Sequence, residues 1–415
     1  MATARKTVAA KTAGKATRSK LVEVPVASAS SRRKVVVEET GQAASTYFAN
    51  VADKEGLEFV SSGSAVLDAA LGGGWCLGRV ANIVGDRSAG KTLLAIEACA
   101  NFHRQYADGY IRYNEAEAAF DEAYAQALGM PVDAVDFKGA PVDPKEEEKY
   151  AELAAIVADR GADDRDKTRA ETAMKKLKNK GVGQASNTVE ALHIDIVRVL
   201  DQNPGRPILY IIDSLDALSD DAEQERAIGD ASYGGSKPKK MGEMFRRLVD
   251  RMEGQRMLLI VVSQLRDKLN VTFGEKQTRS GGRALDFYAS HIIWLAETGK
   301  LKKVIKGNER VIGVKVQVRV KKNKVGLPFR ECKYPILFGY GVDDLTAGVE
   351  WLIEAGCTEK LEELEVSKTG YPVRIQNLRN KGGEEVRAFR AQMNAIVFSE
   401  WQRIEQGFLP TSSKY

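Results

Sequence analysis

The segment Val80-Ala81-Asn82-Ile83-Val84-Gly85-Asp86-Arg87-Ser88-Ala89-Gly90-Lys91-Thr92 ends in a complete phosphate-binding loop. The apolar run before the loop predicts a buried strand, and the apolar residues after it recur at helical spacing. In such a strand–loop–helix unit the glycines let backbone N–H groups point at a polyphosphate. The sequence therefore predicts a nucleoside triphosphate site made by eight consecutive residues, Gly85, Asp86, Arg87, Ser88, Ala89, Gly90, Lys91 and Thr92.

Three side chains of this site have expected chemical roles. Lys91 would reach the β and γ phosphates, and the Thr92 hydroxyl would ligate Mg²⁺. A second buried run, 208–213, ends in Asp213, which would hold the same metal ion through water. ATP and Mg²⁺ are therefore the expected substrate and metal ion.

Composition sets wide bounds on this chain of 415 residues. The length gives room for two or three domains, and a net charge of +5 does not by itself indicate a nucleic-acid partner. The four cysteines form no CxxC pair, so a zinc ribbon or a disulfide framework is not supported. No apolar run approaches a membrane span, and we expect a reducing cytoplasm, in a bacterium or a phage-infected host.

Strand and helix patterns alternate through the middle of the chain. This alternation predicts an α/β fold with a twisted, mainly parallel sheet covered by helices on both faces. An alternating apolar pattern around 303–320 predicts a hairpin added to the sheet. The predicted strands are 80–85, 109–114, 207–212, 257–263 and 290–296, and the predicted helices are 91–106, 120–128, 188–202 and 239–253.

Four segments surround or interrupt this core, which we place at 63–344. Residues 1–40 form a basic tail, which we interpret as disordered, with a DNA-scanning arm or a transit peptide as alternatives. Residues 41–62 are a candidate protomer-docking segment containing Tyr47 and Phe48. Residues 140–186 read as a charged helical hairpin, either a solvated insertion or a contact for DNA or a protein. Residues 345–415 predict a small helical domain, with Trp351, Leu352 and Cys357 in one helix.

A general base for hydrolysis must come from another strand end. The strand at 109–114 runs into Glu115 and Glu117, and spacing alone does not choose between them. The strand at 257–263 runs into Gln264, whose amide could sense the γ-phosphate.

Residues 60–345 resemble the RecA-type homologous recombinases, bacterial and phage. The resemblance lies in Ser64–Gly72 before the phosphate loop, in Ala116-Glu117-Ala118-Ala119-Phe120-Asp121, and in the stretch from Ser263-Gln264 to Ser280-Gly281-Gly282-Arg283-Ala284-Leu285-Asp286-Phe287-Tyr288. It implies a RecA-like P-loop core with Glu117 as general base, Asp121 and Tyr124 at adenine, and Gln264 as γ-phosphate sensor. Parts of the chain, such as Asn187–Asp195, are closer to phage recombinases of the UvsX kind.

The same resemblance implies two DNA-binding loops and a pair of lysines that act across a protomer boundary. Asp286 departs from the family's usual lysine in the second loop region. Lys322 and Lys324 match the paired lysines that enter the neighbouring ATP site. The first loop maps to about 225–241, with Lys237, Lys239, Lys240 and Arg246, and the second contributes Arg266, Leu269, Phe273, Arg279, Gly281, Gly282 and Arg283.

The function implied by the resemblance is ATP-dependent homologous recombination. We expect a helical filament on single-stranded DNA, pairing with a homologous duplex, and DNA-stimulated ATP hydrolysis. We also expect single-strand-binding and loader proteins as partners, and we expect no association with a membrane. A hexameric helicase or branch-migration motor, or a regulatory ATPase indifferent to DNA, remain the alternatives.

Overall fold

The fold is taken from a computed structural model that describes residues 57–117, 120–139, 144–159, 161, 163–178, 187–224, 236–252, 254–267, 277–279 and 282–410. The predicted basic tail and most of the candidate docking segment, including Tyr47 and Phe48, lie outside the described residues.

The strands of the described residues form one large sheet and one two-stranded sheet. They are β1 (Phe59–Val60), β2 (Trp75–Cys76), β3 (Val80–Gly85), β4 (Tyr110–Glu115), β5 (Val135–Asp136), β6 (Ile208–Asp213), β7 (Met257–Asp267), β8 (Gln277–Arg279), β9 (His291–Ile305), β10 (Asn308–Asn323), β11 (Glu331–Leu337) and β12 (Gly341–Val342).

Helices cover both faces of the large sheet and make up most of the chain after β12. They are α1 (Ala65–Leu71), α2 (Lys91–Gln105), α3 (Glu122–Ala127), α4 (Pro144–Ala158), α5 (Asp164–Lys178), α6 (Val189–Gln202), α7 (Asp221–Gln224), α8 (Ser236–Met252), α9 (Gly282–Tyr288), α10 (Asp344–Glu354), α11 (Lys360–Glu363), α12 (Tyr371–Lys381) and α13 (Gly383–Phe408).

The large sheet has a parallel centre and an antiparallel flank. Its strand order is β12-β11-β10-β9-β3-β7-β6-β4-β5, and β8 pairs with β7 beyond this path. Strands β9, β3, β7, β6, β4 and β5 run parallel, whereas β10, β11 and β12 are added as antiparallel neighbours. The register opposes Gly85 to Gln264 and Glu115 to Asp213, so these strand ends share one edge.

The two faces of the sheet are buried against different helices. One face packs against α1, α2 and the helices after β12, with Phe102 and Tyr113 fully buried there. The other packs against α6 and α8, with Tyr210 and Phe245 fully buried. Burial on both faces explains why β3, β6 and β7 read as continuous apolar runs.

The predicted fold class is confirmed, with small shifts at the element ends. The predicted added hairpin is the β9–β10 pair, and the predicted insertion contains α4 and α5. Two details were wrong: α10 ends at Glu354, so Cys357 lies beyond it, and α8 already begins at Ser236, inside the range predicted as a loop. The division of the chain into domains stays a prediction.

A buried ion pair ties β4 to α6, and its removal should destabilise the fold. Arg112 Nε donates to Asp195 Oδ2 at 2.9 Å, and both side chains are buried. Because Asp195→Ala leaves a buried guanidinium without its charge partner, we expect a loss of about 3–5 kcal/mol in the free energy of unfolding. Urea unfolding measures it. Asp201→Ala removes the exposed pair with Arg251 and should change stability little; equal losses in both variants would contradict the expectation.

Asp68 should make the fold less stable as the pH rises. Burial raises the pKa of Asp68 to about 7, even though Ser61 and Ser62 donate hydrogen bonds to its carboxylate. The folded state therefore holds a proton that the unfolded chain releases above its ordinary pKa near 4, so the contribution of Asp68 to stability declines from about pH 4 to pH 7. Asp68→Asn should flatten this decline in urea unfolding measured across that range. An unchanged slope, relative to an exposed control such as Asp250→Asn, would contradict the assignment.

Candidate active site and nucleic-acid interface

The phosphate-binding loop lies between the end of β3 and the start of α2. Gly90, the residue before α2, has φ of 86°, and a Cβ there would lie 2.5 Å from Ile336 Cδ1. A Cβ at Gly85 would lie 2.9 Å from the carbonyl oxygen of Leu295. Both positions therefore favour glycine, and the loop directs the positive N-terminal end of α2 towards its concave side. This geometry suits a polyphosphate.

Lys91 lies in the middle of a cluster of acidic groups. Its Nζ donates to the carbonyl oxygen of Asp86 at 2.6 Å. Burial lowers the pKa of Lys91, while the negative charges of Asp213, Glu117 and Asp216 oppose that change. The cation is thus placed where phosphate oxygens would stabilise its charged form.

Asp213 and Thr92 form the oxygen donors of a candidate metal site. Asp213 ends β6 and accepts a hydrogen bond from the Tyr113 hydroxyl at 2.7 Å and another from the Thr92 side chain. Burial is the largest cause that raises the pKa of Asp213, and the nearby carboxylates raise it further. A hydroxyl from the start of α2 and a carboxylate from the end of β6 are ligands that suit Mg²⁺, which prefers oxygen donors.

The structure separates the two glutamates that the sequence leaves as alternatives. Glu115 Oε1 accepts from the backbone N–H of Glu117 at 2.9 Å, so Glu115 shapes the turn after β4. Glu117 Oε1 accepts instead from the Ser214 hydroxyl and from Gln264 Nε2, the latter at 3.1 Å. The carboxylate of Glu117 therefore reaches the strand ends of β6 and β7, which favours it as the general base.

Three residues of this site were missed in the sequence analysis. Ser214 holds the Glu117 carboxylate, Tyr113 orients Asp213, and Asp216 Oδ2 accepts from the backbone N–H of Gln264 at 2.7 Å. Ser214 and Asp216 directly follow the strand end at Asp213, and that proximity was the available signal. Tyr113 lies inside a strand and gave none.

Asp121 and Tyr124, predicted at adenine, lie at the start of α3. Asp121 caps this helix, with its Oδ1 accepting from the backbone N–H of Tyr124 at 2.9 Å. The Tyr124 ring is partly exposed. The pair is thus structurally coupled, and its contact with a base stays a prediction.

Lys322 and Lys324 lie near the end of β10 and contact the C-terminal end of α9. The Lys322 ammonium donates to the carbonyl oxygens of Asp286 and Phe287, and Lys324 Nζ donates to Phe287 O at 3.2 Å. Burial lowers the pKa of Lys322, and the charge of Lys324 lowers it further. The structure brings the two cations together at the end of β10, where Lys324 is exposed and Lys322 is half-buried; their in-trans role stays a prediction.

Arg279, predicted in the second DNA-binding loop, is the last residue of β8. Its guanidinium donates to Asn82 Oδ1 at 2.5 Å and forms an ion pair with Asp286, and the residue is buried. Asp286, the departure from the usual lysine, therefore has a basic partner seven residues earlier in the chain. The predicted contact of Arg279 with DNA would require this pair to open.

The basic residues predicted in the first loop lie on α8. Lys237 donates to the carbonyl oxygens of Asp216 and Leu218, and Lys240 pairs with Glu190. Lys239 and Arg246 are exposed and line one side of a cleft of about 610 Å³, whose other side is Phe287 and its neighbours on α9. The exposed members of the set are thus the better candidates for phosphate contact.

The rest of the predicted DNA set is only partly described. Leu269, Phe273 and Gly281 lie outside the described residues. Arg266 lies in β7, and Gly282 and Arg283 lie in α9, where only the backbone is described for these residues. Their DNA contacts stay predictions.

Comparison with known proteins identifies the family. The family model described as the RecA N-terminal domain matches residues 36–165 and 147–343. Protein RecA of Thermus thermophilus is 32% identical over 308 residues, which cover 74% of this chain and 75% of that protein. Protein RecA of Caulobacter sp. (strain K31) is 30% identical over 361 residues, which cover 85% and 84%.

The chain belongs to the RecA family. This confirms the resemblance seen in the sequence, and membership of the family implies nucleotide binding. In the part of the chain that the structure describes, no helix is both long and apolar enough to cross a membrane.

The two glutamates give a direct test of the base. Glu117→Gln should lower kcat for nucleotide hydrolysis by at least about 100-fold, because an amide cannot take a proton from the attacking water. Nucleotide affinity should stay within a few-fold, since Lys91 and the loop are unchanged. Steady-state hydrolysis and fluorescent-nucleotide titration measure the two quantities. Glu115→Gln is the matched control and should keep most of the activity; the reverse order would assign the base to Glu115.

Proposed function

We propose that this RecA-family chain is an ATP-dependent homologous recombinase. It forms a helical filament on single-stranded DNA, pairs that strand with a homologous duplex and promotes strand exchange. Its ATPase activity is stimulated by single-stranded DNA. Family membership supports this function, and the arrangement of the ATP site supports the coupling between nucleotide and DNA.

The hydrogen bond between Glu117 and Gln264 is the observation that carries the proposal. Glu117 is the candidate base, and Gln264 lies in β7, directly before the second loop region. A γ-phosphate bound at Lys91 would compete for the Gln264 amide and so alter the position of the strand that leads into this loop. The site therefore links the state of the nucleotide to the DNA-binding segment through one side chain.

The chemical step needs few groups, and the chain supplies them. Lys91 and the loop N–H groups would hold the β and γ phosphates, and Thr92 and Asp213 would hold Mg²⁺, which would supply positive charge against the phosphates. Glu117 orients and deprotonates the attacking water, while Ser214 fixes the position of its carboxylate. Hydrolysis removes the γ-phosphate contact and releases the loop.

Lys322 and Lys324 complete the site of a neighbouring protomer in this proposal. Two cations close together at the end of β10 can stabilise the negative charge of the transferring phosphoryl group, as arginine fingers do. The contacts with the carbonyl oxygens of α9 would then be exchanged for phosphate contacts on assembly. Hydrolysis would depend on filament formation because each site is incomplete in an isolated protomer.

ATP hydrolysis with and without single-stranded DNA, across a salt series, tests the function. We expect strong stimulation by DNA that fades as salt rises, because phosphate contacts release counterions. Turnover that is indifferent to DNA would contradict the proposal and favour a regulatory ATPase. Closed rings in every nucleotide and DNA state, seen by electron microscopy, would favour a helicase or branch-migration motor instead.

The in-trans lysines have their own test. Replacing both Lys322 and Lys324 with Ala should lower DNA-stimulated hydrolysis by about three orders of magnitude, the effect of removing an arginine finger. Nucleotide binding by the isolated protomer should be unaffected. The control replaces Lys300 and Lys303, exposed residues of the same β9–β10 hairpin, with Ala. If the Lys322/Lys324 variant hydrolyses ATP as fast as the control, the in-trans assignment is wrong.

A further inference from the structure

The helical hairpin formed by α4 and α5 is a feature that the ATP site does not use. The two helices pack chiefly against each other, with Ala170 and Leu177 of α5 buried. The two stretches that match the RecA family model overlap at residues 147–165, inside this hairpin. The family match is therefore divided at the hairpin, as expected for an insertion.

Topology places the base of the hairpin at the edge of the sheet where the parallel strands end and the candidate ATP site lies. The chain enters it from the carboxyl end of β5, a strand parallel to β4 and β6. It leaves the hairpin at Thr188, where the Val189 N–H donates to Ser219 O and the Ser219 N–H donates to Asn187 O, both at 3.0 Å. Ser219 lies between β6 and α7, on the path to the first loop region. The exit of the hairpin is thus hydrogen-bonded to the segment that leads into that loop.

The charges of the two helices are opposite in sign. Basic residues outnumber acidic ones six to three in α5, whereas acidic residues outnumber basic ones four to two in α4. On α5, Arg165, Arg169 and Lys176 fall within ~60° of the helix circumference and span ~16 Å along its axis. All three are exposed, and Arg169 has 84% of its side chain accessible, with only a loose 3.8 Å pair to Asp166. We call these three residues the basic stripe.

The surroundings of the basic stripe resemble a phosphate-binding surface. Thr172 lies on the same face and is exposed, and its hydroxyl donates to the carbonyl oxygen of Thr168 at 2.9 Å, so the three cations are the groups available to phosphate oxygens. The apolar residues of α5 face α4, and the α5 sequence contains no aromatic side chain. Protein-binding surfaces usually centre on apolar or aromatic anchors, whereas nucleic-acid surfaces are polar and strongly basic.

We propose that the basic stripe binds the phosphate backbone of duplex DNA and holds it at the edge of the filament. A straight helix presents its cations along a fixed line, which matches the regular negative charge of a duplex better than that of a flexible single strand. The inference rests on the proposed function, which supplies single-stranded DNA at the loops and requires a homologous duplex beside it. The basic stripe would give the duplex a binding surface in addition to the two DNA-binding loops.

A charge-removal variant tests this inference. The variant replaces Arg165, Arg169 and Lys176 with Gln, which keeps good helix propensity. Filaments on unlabelled single-stranded DNA are titrated with fluorescently labelled duplex across a salt series. We expect about tenfold weaker duplex binding at moderate salt, and a slope of log K against log salt that is smaller in magnitude by about 2–3, since each phosphate contact contributes about 0.9.

Two controls separate the possible outcomes. The first replaces Arg79, Arg104 and Arg251 with Gln, which removes equal charge from the opposite end of the sheet: Arg79 directly precedes β3, and Arg104 and Arg251 lie at the carboxyl ends of α2 and α8. The second is the single-stranded-DNA-stimulated ATPase of the stripe variant, which should stay within twofold of the unsubstituted chain. If the unsubstituted chain shows no DNA stimulation, the proposed function fails, independently of the stripe.

Duplex binding by the stripe variant equal to that of the charge-matched control would overturn the inference. In that case the exposed face of α5 would be a protein surface or a solvated one. A far-ultraviolet circular dichroism spectrum and a melting temperature that match the unsubstituted chain show that weaker binding does not come from loss of the hairpin.

Discussion

The parallel register of β4, β6, β7 and β3 is the constraint on which the rest of the structure depends. Because neighbouring strands run in the same direction, each one delivers the residue after its apolar run to the same edge of the sheet. The register opposes Glu115 to Asp213 and Gly85 to Gln264. A candidate metal ligand, the phosphate loop and the residue proposed as γ-phosphate sensor are thereby assembled from segments that are far apart in sequence.

Assembly at this edge has an electrostatic consequence. The edge is partly buried, so charged groups there lose hydration and must stabilise one another. Lys91 lies among Asp213, Glu117 and Asp216. Burial lowers the pKa of Lys91 and raises the pKa of Asp213, and both changes favour the neutral form of the group. A bound phosphate would place negative charge beside Lys91, and a bound divalent cation would place positive charge beside Asp213. The site thus favours a bound metal–phosphate complex over either ion alone.

The sequence was sufficient for the sheet, and the residues that it predicts for the ATP site lie close together in the structure. Strands buried on both faces read as continuous apolar runs, and their positions predicted β3, β6 and β7 within a few residues. The choice between Glu115 and Glu117 could not be made from spacing, because both follow the same strand within three residues. It depends on a contact with Ser214, a residue 97 positions away from Glu117, which only the folded structure brings near.

Long-range pairing also explains why the basic residues were harder to interpret. In the sequence, Lys237, Lys240 and Arg279 read as exposed cations of DNA-binding loops. In the structure, Lys240 pairs with Glu190 of α6, and Arg279 is buried against Asn82 and Asp286. Whether a basic side chain is available to DNA depends on the acidic side chains beside it. Those acidic side chains belong to other helices and strands, so the sequence alone does not show them.

The pairing of Arg279 with Asp286 gives a physical meaning to the departure from the family pattern. An acidic residue at this position would repel phosphates if it stood alone, but Arg279 neutralises it at the root of the second loop. The carbonyl oxygen of the same Asp286 accepts from Lys322, so one short helix, α9, contacts both Arg279 and the two lysines that we propose to act in trans. Movement of Lys322 towards a neighbouring phosphate would release the end of α9. Nucleotide state in one protomer would then reach the DNA-binding segment of the next through α9, in addition to the path through Gln264 within a single protomer.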